Sequence, residues 1–151
     1  MKKRLTIIAT FSLFAIIGAS TARAQVVDGI KADIPFEFTV RNLTLPAGSY
    51  TIKPLNSAPG PMMVITTAEG KAMTVFPTMD AQLHQPPRDA ELVFHRVGDQ
   101  YFLYEVFEQG NSLGAMLPRP RAERRLEKEE AVNRDSSYVT VVGLKTTAAR
   151  R

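Results

Sequence analysis

The most regular pattern in the chain starts at Ile34, where Ile34, Phe36, Phe38 and Val40 alternate with Pro35, Glu37, Thr39 and Arg41. Period two is the signature of a strand with one face buried and the other in water. Pro35 has no N–H and falls in the outward set, which predicts an edge strand or the start of one. Leu45-Pro46-Ala47-Gly48 is turn chemistry, with Pro fixing φ and Gly permitting positive φ. Tyr50 and Ile52 resume the alternation until Pro54. The two segments are therefore expected as antiparallel neighbours that send Phe36, Phe38, Tyr50 and Ile52 into one core.

A stretch rich in Pro, Gly and Ser, from Asn56 to Pro61, separates this pair from the next. Met63 to Thr67 and Ala72 to Phe76 flank Ala68-Glu69-Gly70-Lys71, a hairpin signal. Thr78 to Ala90 reads as a long surface loop. Glu91 to Val97 and Gln100 to Glu108 flank Gly98-Asp99, the clearest hairpin of the chain. The second of these strands has apolar residues on both faces, so it is expected to be central and covered on both sides. Six strands with turn signals at short intervals favour a sandwich or small barrel over any βαβ arrangement.

After Pro118 the composition changes. Arg119 to Arg134 is dense in charge and good in helix propensity, and Glu130 sits four before Arg134. A helix is predicted over about 119–133, touching the body through Leu126 and otherwise solvated. Its mixed charge reads as a water-facing surface rather than a binding patch. Ser137 to Leu144 returns to strand character and is expected to dock on the body by burying Tyr138, Val139, Val141, Val142 and Leu144. The competing reading is an arm that orders only on a partner. The fold class is thus all-β: a single small sandwich or barrel of about seven antiparallel strands over residues 25–145, with one charged helix near the C-terminus before the last strand. Residues 146–151 are expected to fray.

The N-terminal segment is a different kind of sequence. Lys2-Lys3-Arg4 is a positive start, Leu5 to Gly18 is an apolar run, and Ala22-Arg23-Ala24 presents small residues where a signal peptidase reads. A spanning helix needs about 20 predominantly apolar residues, and this run is shorter. Residues 1–24 are therefore expected to be a signal peptide cleaved after Ala24, with no transmembrane segment in the mature chain and an exported destination, periplasmic or extracellular.

Charge adds one point. The 151 residues hold 19 Lys+Arg and 15 Asp+Glu, net +4, but four bases and no acid lie in the first 24. The remainder is neutral overall, which removes the electrostatic case for a nucleic-acid partner. Within it, residues 25–118 carry six basic and ten acidic groups, net −4, and residues 119–151 carry nine and five, net +4. With no Cys there is no disulfide, thiol nucleophile or zinc–cysteine site.

Few groupings carry chemistry. Gly110-Asn111-Ser112-Leu113-Gly114 fits G-x-S-x-G, but a nucleophile elbow needs a strand-to-helix turn with an acid and a His following in the chain. His84 and His95 both precede Ser112, so the motif reads as a turn. His84, His95, Asp80, Asp89 and Glu91 lack the spacing of a zinc site, and no calcium-loop pattern occurs. His95 reads as an ordinary strand residue, exposed or satisfied by a neighbour. Glu105 shares a face with Tyr101, Leu103 and Phe107 if alternation is regular, which would bury it partly, with Arg96 as a possible strand partner. Glu108 falls on the opposite face. No residue is assigned to catalysis, to a metal or to a cofactor.

Several segments together resemble a known group. Ile34-Pro35-Phe36-Glu37-Phe38-Thr39-Val40, then Asn42, then Leu45-Pro46-Ala47-Gly48-Ser49-Tyr50-Thr51-Ile52 are similar to small secreted proteins abundant in acidobacterial genomes. So are Leu92 to Leu103, with Phe94, Arg96, Gly98-Asp99 and Tyr101-Phe102-Leu103, then Gly110, Gly114 and Arg119 to Arg124. The resemblance implies a secreted bacterial envelope protein and carries over no activity, cofactor or catalytic residue. The expected role is non-catalytic, either structural or binding a protein, a glycan or the cell envelope; the alternative is a small secreted hydrolase without a recognisable motif.

Overall fold

Pro35 divides the alternation of Ile34 to Val40. The computed structural model describes residues 29–55, 61–130 and 136–144, so the expected signal segment and the frayed tail lie outside it. The pattern begins earlier than expected, in β1 (Ile30–Ile34), and resumes in β2 (Phe38–Val40). Across both strands Ile30, Ala32, Ile34, Phe38 and Val40 are buried. The phase never slips, yet the partners change. β1 pairs antiparallel with β4 (Gly48–Pro54), setting Ile30 opposite Ile52 and Ile34 opposite Gly48. β2 pairs instead with β3 (Leu43–Leu45) and meets β9 (Gln100–Phe107) in a single parallel bridge. The expected hairpin between the Phe38 and Tyr50 segments is thus replaced by a sheet crossing. Pro35 cannot donate to a ladder, so hydrogen bonding changes hands there while the same face stays on the shared core.

The remaining strands are β5 (Met62–Thr67), β6 (Ala72–Pro77), β7 (Met79–Gln82), β8 (Glu91–Val97), β10 (Leu113–Met116) and β11 (Ser136–Val142), with α1 (Arg121–Glu130) before the last. One sheet has the order β1-β4-β5-β6; the other runs β11-β8-β9-β10-β7, with β2 and β3 attached at β9. The two face each other as a sandwich, not a closed barrel. The chain passes between sheets near Pro35, Pro46 and Pro77, one proline at each crossing. The Tyr50 hydroxyl donates to the Pro46 carbonyl at 2.8 Å and ties down the second.

Aromatic rings fill the space between the sheets. Phe38 meets Tyr50 edge-on at 5.3 Å and Phe94 at 5.4 Å, and Phe36 stacks on Tyr101 at 4.0 Å. The expectation that Phe38, Tyr50 and Ile52 share one core therefore holds, with Tyr50 and Ile52 on the facing sheet. Phe36, in the crossing itself, is half-buried against that core.

Eleven strands stand among the described residues where about seven were expected. β7 lies in the predicted loop, and β10 follows the Gly110–Ser112 turn. Both are four residues long, and they pair with each other from Leu113 opposite Gln82 to Met116 opposite Met79. Only Ala81 of β7 is buried, so neither strand displays the alternation that reveals one. Gly114 allows β10 to approach β9: a Cβ there would stand 2.3 Å from Phe107 Cδ1 and 2.6 Å from the Val106 carbonyl oxygen.

The Gly98-Asp99 hairpin forms as predicted, joining β8 to β9 with Val97 opposite Gln100. Gly98 has φ +58°, and Asp99 is not left-handed, the φ pattern of a II′ turn. A β-branched residue at Gly98 would be forced into a left-handed conformation that costs L-residues about 1–2 kcal/mol. Gly98→Val is accordingly expected to destabilise the domain by about that amount or more in urea denaturation, whereas Asp99→Ser is expected to be nearly silent.

The C-terminal strand also docks. β11 pairs antiparallel with β8 over its full length, Ser136 opposite Val97 and Val142 opposite Glu91. The partner-dependent arm is therefore set aside. How it docks differs from expectation: Tyr138, Val142 and Leu144 stay half or more exposed, and Val139 and Val141 are half-buried. The backbone ladder carries the strand.

Candidate functional site

The outer face of the second sheet lies under α1. Pro120 ends the extended Pro118-Arg119-Pro120 segment, and its carbonyl accepts the Arg124 N–H at 3.3 Å, so the helix starts at Arg121 rather than 119. Glu123 and Leu126 are three apart and share the side of α1 turned to the sheet. Leu126, the residue expected to make the contact, is half-buried, while Glu123 is 2% exposed.

The partner of Glu123 is His95. Along β8, Leu92 and Phe94 point into the sandwich core, so His95 points out under the helix. Its Nδ1 lies 2.6 Å from Glu123 Oε1, and its Nε2 lies 3.2 Å from the Ser136 hydroxyl at the start of β11. His95 is 1% exposed. With Glu123 ionised, Nδ1 carries the proton and donates to the carboxylate, which leaves Nε2 to accept from Ser136. Tyr138 stacks on the imidazole at 4.9 Å.

Arg119 closes the cluster. Its Nε is 3.4 Å from Glu123 Oε1, one terminal nitrogen is 2.9 Å from Glu127, and the other donates to the Tyr138 hydroxyl at 3.0 Å. Burial opposes the Arg119 charge, but the carboxylates of Glu127 and Glu123 outweigh it and hold the guanidinium above its ordinary range. The same guanidinium lies 5.6 Å over the Tyr104 ring.

A β-bulge places that ring. Val93 pairs with Glu105 and Phe94 with Leu103, leaving Tyr104 as the extra residue of β9. Bulges re-aim side chains and break the alternation. Leu103 and Val106 both join the sandwich core, so Glu105 falls on the outer face with Phe107, away from Tyr101 and Leu103. This corrects the face read from regular alternation. Arg96 is not its partner either: Arg96 donates to the Gly98 carbonyl at 2.8 Å and lies near Asp99. Glu105 is half-buried, and burial raises its pKa.

A raised carboxyl pKa means that the folded state holds its proton longer than the unfolded chain. Stability from Glu105 is then fully present at pH below the unfolded carboxyl range and is lost as pH rises through the folded value. Glu105→Gln is expected to make the protein modestly more stable at neutral pH, and to flatten the decline between the unfolded and folded pKa. Denaturation midpoints taken across that window check both.

The other residues singled out do not converge. His84 is exposed in the loop after β7, Asp80 is exposed on β7, and Glu91 is half-buried at the start of β8. Ser112 sits in the turn before β10, where its carbonyl accepts the Leu83 N–H at 2.9 Å, and a strand follows it rather than a helix. No group of three His, Cys, Asp or Glu that could hold a metal occurs among the described residues. At the opposite end of the sandwich, Met62, Met79 and Leu113 help line an apolar cleft of about 290 Å³, at the small end for a ligand pocket. No family model matches the chain, and neither the curated proteins nor the solved structures give a match.

Proposed function

We propose that this protein is an exported, non-catalytic β-sandwich that acts by binding at the bacterial cell envelope. The observation that supports the reading is the use made of the convergent polar cluster found among the described residues. His95 and Glu123 are almost wholly enclosed between sheet and helix, with Arg119 and Tyr138 closing the sides, so these groups fix α1 in place rather than line a cleft. Among the described residues no helix is long and apolar enough to cross a membrane. Export rests on the Lys2–Arg4 start, the Leu5–Gly18 run and the Ala22-Arg23-Ala24 site. The test is fractionation of cells carrying the tagged chain, with crosslinking and intact mass. The reading requires a chain that begins at Gln25 and crosslinks in the envelope or exterior fraction. Uncleaved protein in the cytoplasm would sink it.

One observation favours a second reading, a small hydrolase. Ser136, exposed at the head of an edge strand, reaches His95, which reaches Glu123: hydroxyl, imidazole and carboxylate in the order of a nucleophilic relay. Ser136→Ala removes only the hydroxyl, at an exposed position. Hydrolysis of short activated esters that this variant abolishes would favour the enzyme; equal rates in both proteins would dismiss it.

A further inference from the structure

Charge that is mixed along the sequence of α1 is sorted across the helix in space. Glu123 and Glu127 turn toward Arg119 and His95. Arg121, Arg124, Arg125 and Lys128 are all exposed and together border one hollow on the outer side. Their spacing, i, i+3, i+4 and i+7, is that of a single helical face. Among the described residues only Arg125 of the four has an ion-pair partner, Glu129 at 3.7 Å. Arg41, at the β2–β3 turn, borders the adjoining hollow with Arg121 and Arg124, so the patch is continued by a second element. Mixed charge along the sequence predicts a solvated surface; the sorting of those charges in space makes one side of it a basic face.

From this geometry we propose that the outer face of α1 is a docking surface for anionic phospholipid headgroups. The inference deepens the envelope reading above and rests on it. The face is about 15 Å long and offers cations with no apolar or aromatic anchor. Protein interfaces draw their affinity from a well-packed, desolvated centre in which Trp and Tyr accompany Arg, and single-stranded nucleic acid is held by rings on which its bases stack. Neither is present in the stripe. A bilayer surface supplies an array of mobile phosphates and asks only for charge, and planar guanidinium forks match phosphate oxygens. The rest of the molecule favours the same orientation: residues 25–118 are net −4, so an anionic surface repels the body and attracts the helix.

The test is co-sedimentation of the exported full-length protein with vesicles of phosphatidylglycerol and phosphatidylcholine, against vesicles of phosphatidylcholine alone. Binding is expected only to the anionic vesicles, and it should weaken steeply between low and physiological salt. Each basic residue near such a surface strengthens binding about fivefold, so Arg121→Gln with Arg124→Gln should cut partitioning by roughly twenty-fivefold. Lys53→Gln with Lys71→Gln removes the same charge from the body and should leave it nearly unchanged. Equal binding to both vesicle types, equal losses in the two double variants, or capture by a soluble protein without vesicles would each overturn the lipid surface. If the vesicles fail while the native chain still crosslinks in the envelope fraction, the lipid face is wrong and the exported binding role stands.

Discussion

Glu123→Ala is expected to cost about 1–3 kcal/mol of folding stability, the range for leaving a buried hydrogen-bond donor without its acceptor. Both side chains of the pair are enclosed, at 1% and 2% exposure, and only 2.6 Å separates them. Deleting the carboxylate leaves His95 Nδ1 without an acceptor beneath the helix, and water has no ready route to replace it. Arg119 loses one of its two acids but keeps Glu127. The loss should fall on α1 first, because Leu126, the apolar residue on its inward side, is only half-buried. Urea denaturation measures the total, and hydrogen exchange across 121–130 shows where it appears. The paired variant His95→Leu with Glu123→Leu separates burial from pairing: well-packed apolar replacements of such pairs are often neutral or stabilising. A Glu123→Ala midpoint within experimental error of the parent would show that water already reaches the pair.

Phe38→Ala is expected to cost more, about 3–5 kcal/mol, through a cavity in the sandwich core. Phe38 is 1% exposed and touches Tyr50 across the sheets and Phe94 within its own. β2 is three residues long and holds β9 by one parallel bridge, Thr39 opposite Phe102. The side chain therefore anchors the β2–β3 hairpin more than its ladder does. Thermal melting should drop sharply, with amides of Val40 and Leu45 losing exchange protection before those of β8. An unchanged melting temperature would show that the Phe38 site collapses without penalty.

These two residues also mark what could be read in advance. Alternation placed Phe38, Tyr50 and Ile52 in one core because period two depends only on which face is buried. It could not say that the faces belong to different sheets, since a crossing at Pro35 preserves the phase. The bulge at Tyr104 is the opposite case: one extra residue shifts the phase, which moves Glu105 to the face opposite the one that regular alternation predicts. β7 and β10 carry almost no buried residues of their own, so hydrophobic pattern had nothing to report. The His95–Glu123 pair was half legible. Glu123 shares a helical side with Leu126, the residue expected to touch the body, and an acid on a docking side needs a partner. What sequence could not supply was the register of β8 under the helix.

The two ends of the described chain are stitched together. The Leu144 N–H donates to the Lys31 carbonyl at 2.6 Å, and the Gly143 N–H to Ala90 at 2.6 Å, while the strands between pass back and forth from one sheet to the other. No contiguous half of the sequence contains a complete sheet pair. β11 closes the outer edge of the second sheet, so its ladder with β8 forms only after every other described strand has been made.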